Sequence, residues 1–253
     1  MESGQPPNRQ GVQVNVSDAA KGAAELGVKL AKIYQSSLGK KLLTGITGLA
    51  LASFVVMHMV GNLLVFSGGQ AYNRYGHWID GLGPLLAVIE LLLLGVVVTH
   101  AALGIQLFWR RRQARPVPYE RYESVGRPSL QSVSSRSMIL TGSVVAVFLV
   151  LHLQSFKFGP YYATVLPNGE SARDLSRLVI QAFQRPSYAF GYTAVVLLLG
   201  LHLRHGLWSA LQSLGVMSRG LKSLVYALSA LVAVLIALGF LVLPQAIYWG
   251  WVG

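Results

Sequence analysis

LASFVVMHMVGNLLVF, residues 51–66, sets a single histidine, His58, inside an otherwise apolar run. Three further stretches repeat the arrangement: ELLLLGVVVTHAALGI (90–105) around His100, VVAVFLVLHLQSF (144–156) around His152, and VVLLLGLHLRHG (195–206) around His202. An imidazole among Leu, Val and Phe at bilayer depth is costly without a partner, so a polar side chain there marks a functional site. One histidine per segment points to a shared task.

Composition supports the membrane setting. The chain has 253 residues, 53% of them hydrophobic and 12% charged, with mean hydropathy +0.51; a soluble fold of this kind would leave too much apolar surface uncovered. Segments near 42–66, 84–109, 137–158, 187–212 and 222–244 each approach the roughly 20 residues that cross about 30 Å of hydrocarbon. The expected fold class is all-α: a polytopic membrane protein whose residues 36–253 form a five-transmembrane-helix bundle behind a polar N-terminal arm, residues 1–35. No period of 20–50 residues marks a solenoid. The net charge of +12 is carried at segment ends and in loops, so no nucleic acid partner is expected. The chain has no cysteine, which excludes disulfides, thiolate-held iron–sulfur clusters and thioether haem attachment. A metal would have to be held mainly by histidine.

Residues 1–16 are polar and lack the apolar core and cleavage site of a signal peptide. Ser17 reads as an N-cap, followed by a short amphipathic helix with Ala23, Leu26, Leu30 and Ile33 opposite Lys21, Lys29 and Lys32. Such a helix suits the membrane interface, with contact to a soluble partner as the alternative. Fifteen Lys and Arg fall in the arm, the second-to-third loop and the fourth-to-fifth turn, against five on the other side (Arg74, Lys157, Arg173, Arg177 and Arg185). The positive-inside rule then predicts a cytoplasmic N-terminus.

With that orientation the histidines acquire depth. His58 and His152 fall in the outer half, while His100 and His202 each lie about nine residues, roughly 13 Å, from the cytoplasmic ends of their segments. Two histidines from facing helices, with no further donor at their level, fit bis-imidazole haem better than tetrahedral zinc. Gly61, Gly104 and Gly206 follow His58, His100 and His202 within about a turn, where a missing side chain would let a flat macrocycle approach; close helix packing is the plainer use of such glycines. His205 competes with His202, but His202 reproduces the HxxxG spacing of His100. The expectation is a bundle enclosing two haems b, with His58, His100, His152 and His202 as ligands to haem iron.

Four stretches carry a resemblance: SSLGKKLLTGITGLALASFVVMHMVGNLLVFSGG (36–69), AYNRYGHWIDGLGPLLAVIELLLLGVVVTHAALGIQL (71–107), RRRQARPVPY (110–119) and HLRHGLWSALQSLG (202–215). In order, spacing and helix count together they resemble the dihaem cytochrome b membrane-anchor subunit of succinate:quinone oxidoreductases, the single five-helix type that serves succinate dehydrogenase or fumarate reductase. The resemblance covers about residues 36–245. It implies that His58 and His152 ligate a distal haem, and His100 and His202 a proximal one. It also implies a flavoprotein subunit that oxidises succinate, an iron–sulfur subunit that passes electrons to the inner haem, and a membrane quinone, menaquinone rather than ubiquinone, beyond the outer one. The anchor itself would hold no catalytic dicarboxylate site. The complex would sit in the cell inner membrane and assemble further into a homo-oligomer. The anchor of a formate dehydrogenase or hydrogenase, and a quinol:fumarate reductase running in reverse, are the alternatives; a transporter would show broken helices and mid-depth polar clusters, which are scarce here.

Around these ligands the expected supporting groups are Arg204, Thr44 and Thr47 toward haem propionates, with back-bonding within the helix as the commoner use of the threonines. For the quinone they are Arg74, His77 and Asp80, in the loop GGQAYNRYGHWID (68–80) just past His58; solvated or membrane-interface anchoring is the plainer alternative. Glu90, inside the second segment, would be protonated, paired or near water. Some dihaem fumarate reductases carry a glutamate two residues before the fourth histidine; here that position is Gly200, so its proton-moving role is not expected. The segment 159–186 reads as a connection with a short helix over the outer face.

Overall fold

The computed structural model describes residues 16–114, 133–218 and 220–252. Arg9, Arg115, Arg121, Arg127 and Arg219 lie outside them, as do the side chains of Ser17, Leu30 and Ile33. The chain divides into two units, residues 1–40 and 41–253. In the first, helix α1 (Val16–Gln35) forms where the spacing predicts it, with Lys32 in its last turn and every residue from Ala20 to Lys29 exposed.

The larger unit is mostly helical, and its helices are α2 (Ser37–Leu63, which begins at the unit boundary), α3 (Gly69–Asp80), α4 (Pro84–Gln113), α5 (Val133–Arg136), α6 (Met138–His152), α7 (Leu175–Phe183), α8 (Pro186–Ser213) and α9 (Lys222–Tyr248). Five spans are long and apolar enough to cross a membrane: Ser37–Ser67, Pro84–Gln113, Met138–Lys157, Pro186–Ser213 and Lys222–Tyr248. They match the five segments expected from hydropathy to within a few residues. Their outward faces carry the large apolar side chains that hydrocarbon rather than water would cover, such as Leu91, Leu92 and Val98 on α4 and Val147 and Val150 on α6.

Local chemistry sets the ends. Pro84 and Pro186 occupy first-turn positions, where a missing N–H costs nothing. Arg110, Arg111 and Arg112 close α4 at its negative dipole end. Past His152, α6 widens into a π-turn over Leu153–Lys157, in which the Phe158 N–H reaches the Leu153 carbonyl five residues back at 2.9 Å.

α8 packs along α9 and against α6, and α6 also meets α4. Ala52, Leu203, Ala233 and Ile236 make one buried cluster, with Met59 and Phe240 packed on it. A second cluster, of Val65, Tyr72, Val179, Phe183, Leu243 and Ile247, joins the ends of the spans to a cap.

That cap differs from the loops expected there. Residues 69–80 are a helix, because Tyr72, Asn73 and Gly76 recur at helical spacing and are buried together. Residues 159–186 hold an antiparallel hairpin, β1 (Ala163–Val165) with β2 (Ser171–Arg173), turned at Gly169 with φ +85°, before the expected short helix α7. Asn73 joins α3 to α7: its Nδ2 donates to Asp174 Oδ1 at 2.8 Å and its Oδ1 accepts from the Ser176 N–H at 2.9 Å. Asp174 also caps α7, accepting from the Arg177 N–H at 3.0 Å.

Candidate functional site

The four histidines meet as two pairs. His58 of α2 faces His152 of α6 with ring centres 5.7 Å apart and planes at 86°. His100 of α4 faces His202 of α8 with ring centres 6.4 Å apart and planes at 72°. These are the pairings expected from depth alone.

The two pairs are held differently. Around His58 and His152 the neighbours are rings: Phe54 at 5.5 Å and Phe240 at 6.1 Å from His58, with Phe148 at 5.6 Å, Phe156 at 5.4 Å and Tyr192 at 6.0 Å from His152. The Tyr192 hydroxyl lies 3.3 Å from His152 Nδ1. Asn62 donates to the His58 carbonyl at 2.8 Å and accepts from the Tyr72 hydroxyl at 2.8 Å, so the cap is wired to the helix turn that carries His58.

Around the other pair the neighbours are hydroxyls and glycines. Thr47 Oγ1 lies 3.2 Å from His100 Nδ1, and Thr141 Oγ1 lies 3.1 Å from His202 Nδ1. A Cβ on Gly48 would stand 3.1 Å from His100 Cε1, and one on Gly142 would stand 3.2 Å from His202 Cε1. The glycines that meet imidazoles therefore precede the histidines of the other pair on their helices. Gly104 and Gly206 face open space, whereas the Tyr75 ring fills the position in front of Gly61.

Besides its contact with the imidazole, Thr47 donates to the Leu43 carbonyl at 2.7 Å, with the Thr44 carbonyl at 3.2 Å, which is the back-bonding within the helix named above as the commoner use of such a threonine. Arg204 donates to Ser134 Oγ at 3.1 Å and to the Tyr226 hydroxyl, with its guanidinium 5.2 Å from that ring centre. His205 meets Trp208, ring centres 6.1 Å apart, while His202 is the residue that faces His100. The indole N–H of Trp208 has no partner among the described residues.

Compared with family models, curated proteins and solved structures, the chain has no significant match. What the pairs can do follows from their donor sets. Among the described residues no three of His, Asp and Glu converge, so each site offers two imidazole donors. Ring centres 5.7 and 6.4 Å apart are close enough for the two imidazoles of each pair to share one metal ion as ligands.

The residues expected near a quinone sit on α3. His77 Nε2 pairs with Glu170 Oε2 of the hairpin turn at 3.2 Å, while Arg74 and Asp80 are exposed. A cleft of about 470 Å³ between α3, the hairpin and α7 is lined by Gln70, Asn73, Asp174, Ser176 and Arg177 among others, and by none of Arg74, His77 and Asp80. Glu90 is paired, with Lys157 of the π-turn. Sequence reasoning missed Thr141, Gly142 and Gly48. The signal was present: Thr47-Gly48 and Thr141-Gly142 each stand eleven residues before a histidine, His58 and His152.

Proposed function

We propose that this chain is the dihaem cytochrome b anchor of a succinate:quinone oxidoreductase, carrying electrons from an iron–sulfur subunit across the membrane to a quinone of the menaquinone type. The observation that supports the reading best is the meeting of four histidines from four spans as two facing pairs with ring centres 5.7 and 6.4 Å apart. Two-donor sites suit a metal whose other positions are filled by a planar ligand, as in haem. A haem b bound at each pair would supply one-electron exchange between ferric and ferrous iron.

The chain's own residues would do the rest. His58 with His152 and His100 with His202 would hold the two groups, one pair for each. Phe54, Phe148, Phe156 and Phe240 would keep water from the first pair, which favours electron transfer over side reactions of a reduced centre. Arg204 would hold a carboxylate near the His202 turn by its planar fork. Arg74, His77 and Asp80, with the cleft between α3 and α7, would serve quinone binding and proton exchange at the capped end. By the distribution of Lys and Arg that end faces outward across the cell inner membrane, with the flavoprotein and iron–sulfur subunits on the cytoplasmic side.

The test is pyridine haemochrome stoichiometry on the detergent-purified protein, with copurifying subunits identified on the same sample. Two haems b per chain beside a flavoprotein and an iron–sulfur protein would support the reading. Other partners would move it to another quinone-linked dehydrogenase, and a folded preparation that binds no haem would overturn it.

A further inference from the structure

The threonines beside the His100–His202 pair do more than fill space. The Thr47 hydroxyl hydrogen is taken by the Leu43 carbonyl at 2.7 Å, and that of Thr141 by the Ser137 carbonyl at 3.0 Å. Each oxygen therefore offers only lone pairs to the imidazole nitrogen 3.2 or 3.1 Å away. In the arrangement that keeps both helix hydrogen bonds, His100 Nδ1 and His202 Nδ1 donate to the threonine oxygens and the lone pair of each ring lies on Nε2; His100 has a further hydrogen bond to the Thr44 backbone. Gly48 and Gly142 sit against the same ring edge: a Cβ there would stand 3.1 and 3.2 Å from Cε1 and 3.5 and 3.7 Å from Nδ1, so the absent side chains leave just enough room for the rings to reach the hydroxyls. Rotation of either ring would break its hydrogen bond.

We propose that Thr47 and Thr141 are positioning residues for the His100–His202 pair, fixing both rings as Nδ1–H tautomers with Nε2 free to bind iron and raising the electron density those nitrogens donate. This rests on the reading of the pair as haem ligands. A ligand imidazole that gives its outer N–H to an acceptor becomes more basic and stabilises the higher oxidation state of its metal. The same two helices carry His58 and His152, whose surroundings are aromatic, with the Tyr192 hydroxyl 3.3 Å from His152 Nδ1, so the two threonine hydroxyls act on the His100–His202 pair alone.

The experiment compares the parent with Thr47→Val, Thr141→Val and Thr141→Ser, each purified as the full-length chain with its copurifying subunits. Haem content, the midpoint potential of each haem by optical redox titration, and the low-spin electron paramagnetic resonance signals are read on the same samples. The valine variants should keep two haems, raise the potential of one and shift its resonance, and leave the other haem as in the parent. Thr141→Ser, which keeps the hydroxyl, should stay near parent values. Potentials and resonances unchanged in both valine variants would overturn the proposal while leaving the dihaem reading intact, and so would a serine variant that shifts as far as valine. A parent without haem would overturn the dihaem reading and this inference with it.

Discussion

The Tyr72 hydroxyl donates to the Asn62 amide oxygen at 2.8 Å, and through Asn62 the cap helix α3 is bonded to the carbonyl of His58. Burial pushes the Tyr72 phenol above its ordinary range, with the Tyr75 phenol adding to the shift. A raised pKa means that the neutral phenol stabilises the fold fully below the unfolded value of about 10, and that this contribution is lost as pH rises beyond it. Tyr72→Phe should lower stability by about 1–2 kcal/mol and flatten the loss of stability above pH 10. Thermal unfolding in detergent from pH 7 to 11 checks both.

Asn73 makes the two hydrogen bonds that tie α3 to the start of α7. Asn73→Ala strands the buried Ser176 N–H and removes a donor from Asp174, at a cost of roughly 2–3 kcal/mol. The cap should loosen before the spans do. Limited proteolysis should cut between residues 159 and 186 faster in the variant, with the helical circular dichroism unchanged; equal cutting rates would contradict the role given to Asn73.

Replacing histidines should sort them by pair. His58→Ala and His152→Ala should each abolish the same optical and resonance signal, and His100→Ala and His202→Ala the other. Haemochrome content should fall from two to one per chain in all four, and the double variant within a pair should look like either single. His205→Ala should retain both haems, since its ring lies against Trp208.

Lys157 reaches back from the π-turn to Glu90 on α4. Both side chains are close to half exposed, so the coupling between them should be modest, about 0.2–1 kcal/mol in a double-mutant cycle. Lys157→Met should destabilise more than the Glu90→Gln/Lys157→Met double variant, because it alone leaves a carboxylate unpaired on a span.

Span boundaries are legible in the sequence because a membrane span is a length of apolar residues between charged or turn-forming ends, and Pro84, Arg110 to Arg112, Pro186 and Lys222 mark those ends directly. Pairing of the histidines is legible for the same reason: direction of travel plus 1.5 Å per residue fixes depth. The cap is less so, since α3 is a short helix whose buried face, Tyr72, Asn73 and Gly76, is too polar to register as apolar periodicity. Least legible are the groups that hold the rings. Thr141 lies in an ordinary stretch of α6, and only the packing of α6 on α8 shows that its hydroxyl meets His202. The sequence offers Gly61, Gly104 and Gly206 just after His58, His100 and His202, but the contacts to His100 and His202 come from Gly48 and Gly142 on neighbouring helices.

Thr47 and His58 on α2 stand eleven residues apart, and so do Thr141 and His152 on α6. Eleven residues of helix are about 16.5 Å of height, three turns and a small remainder. Each rod is therefore a ruler with a notch for one pair at one end and a member of the other pair at the other end, and the protein carries two matched copies. One residue inserted between the marks on either rod would turn its far end by about 100° and withdraw a histidine from its partner. The distance between the sites is set twice, so neither rod can drift in length while the other stays as it is.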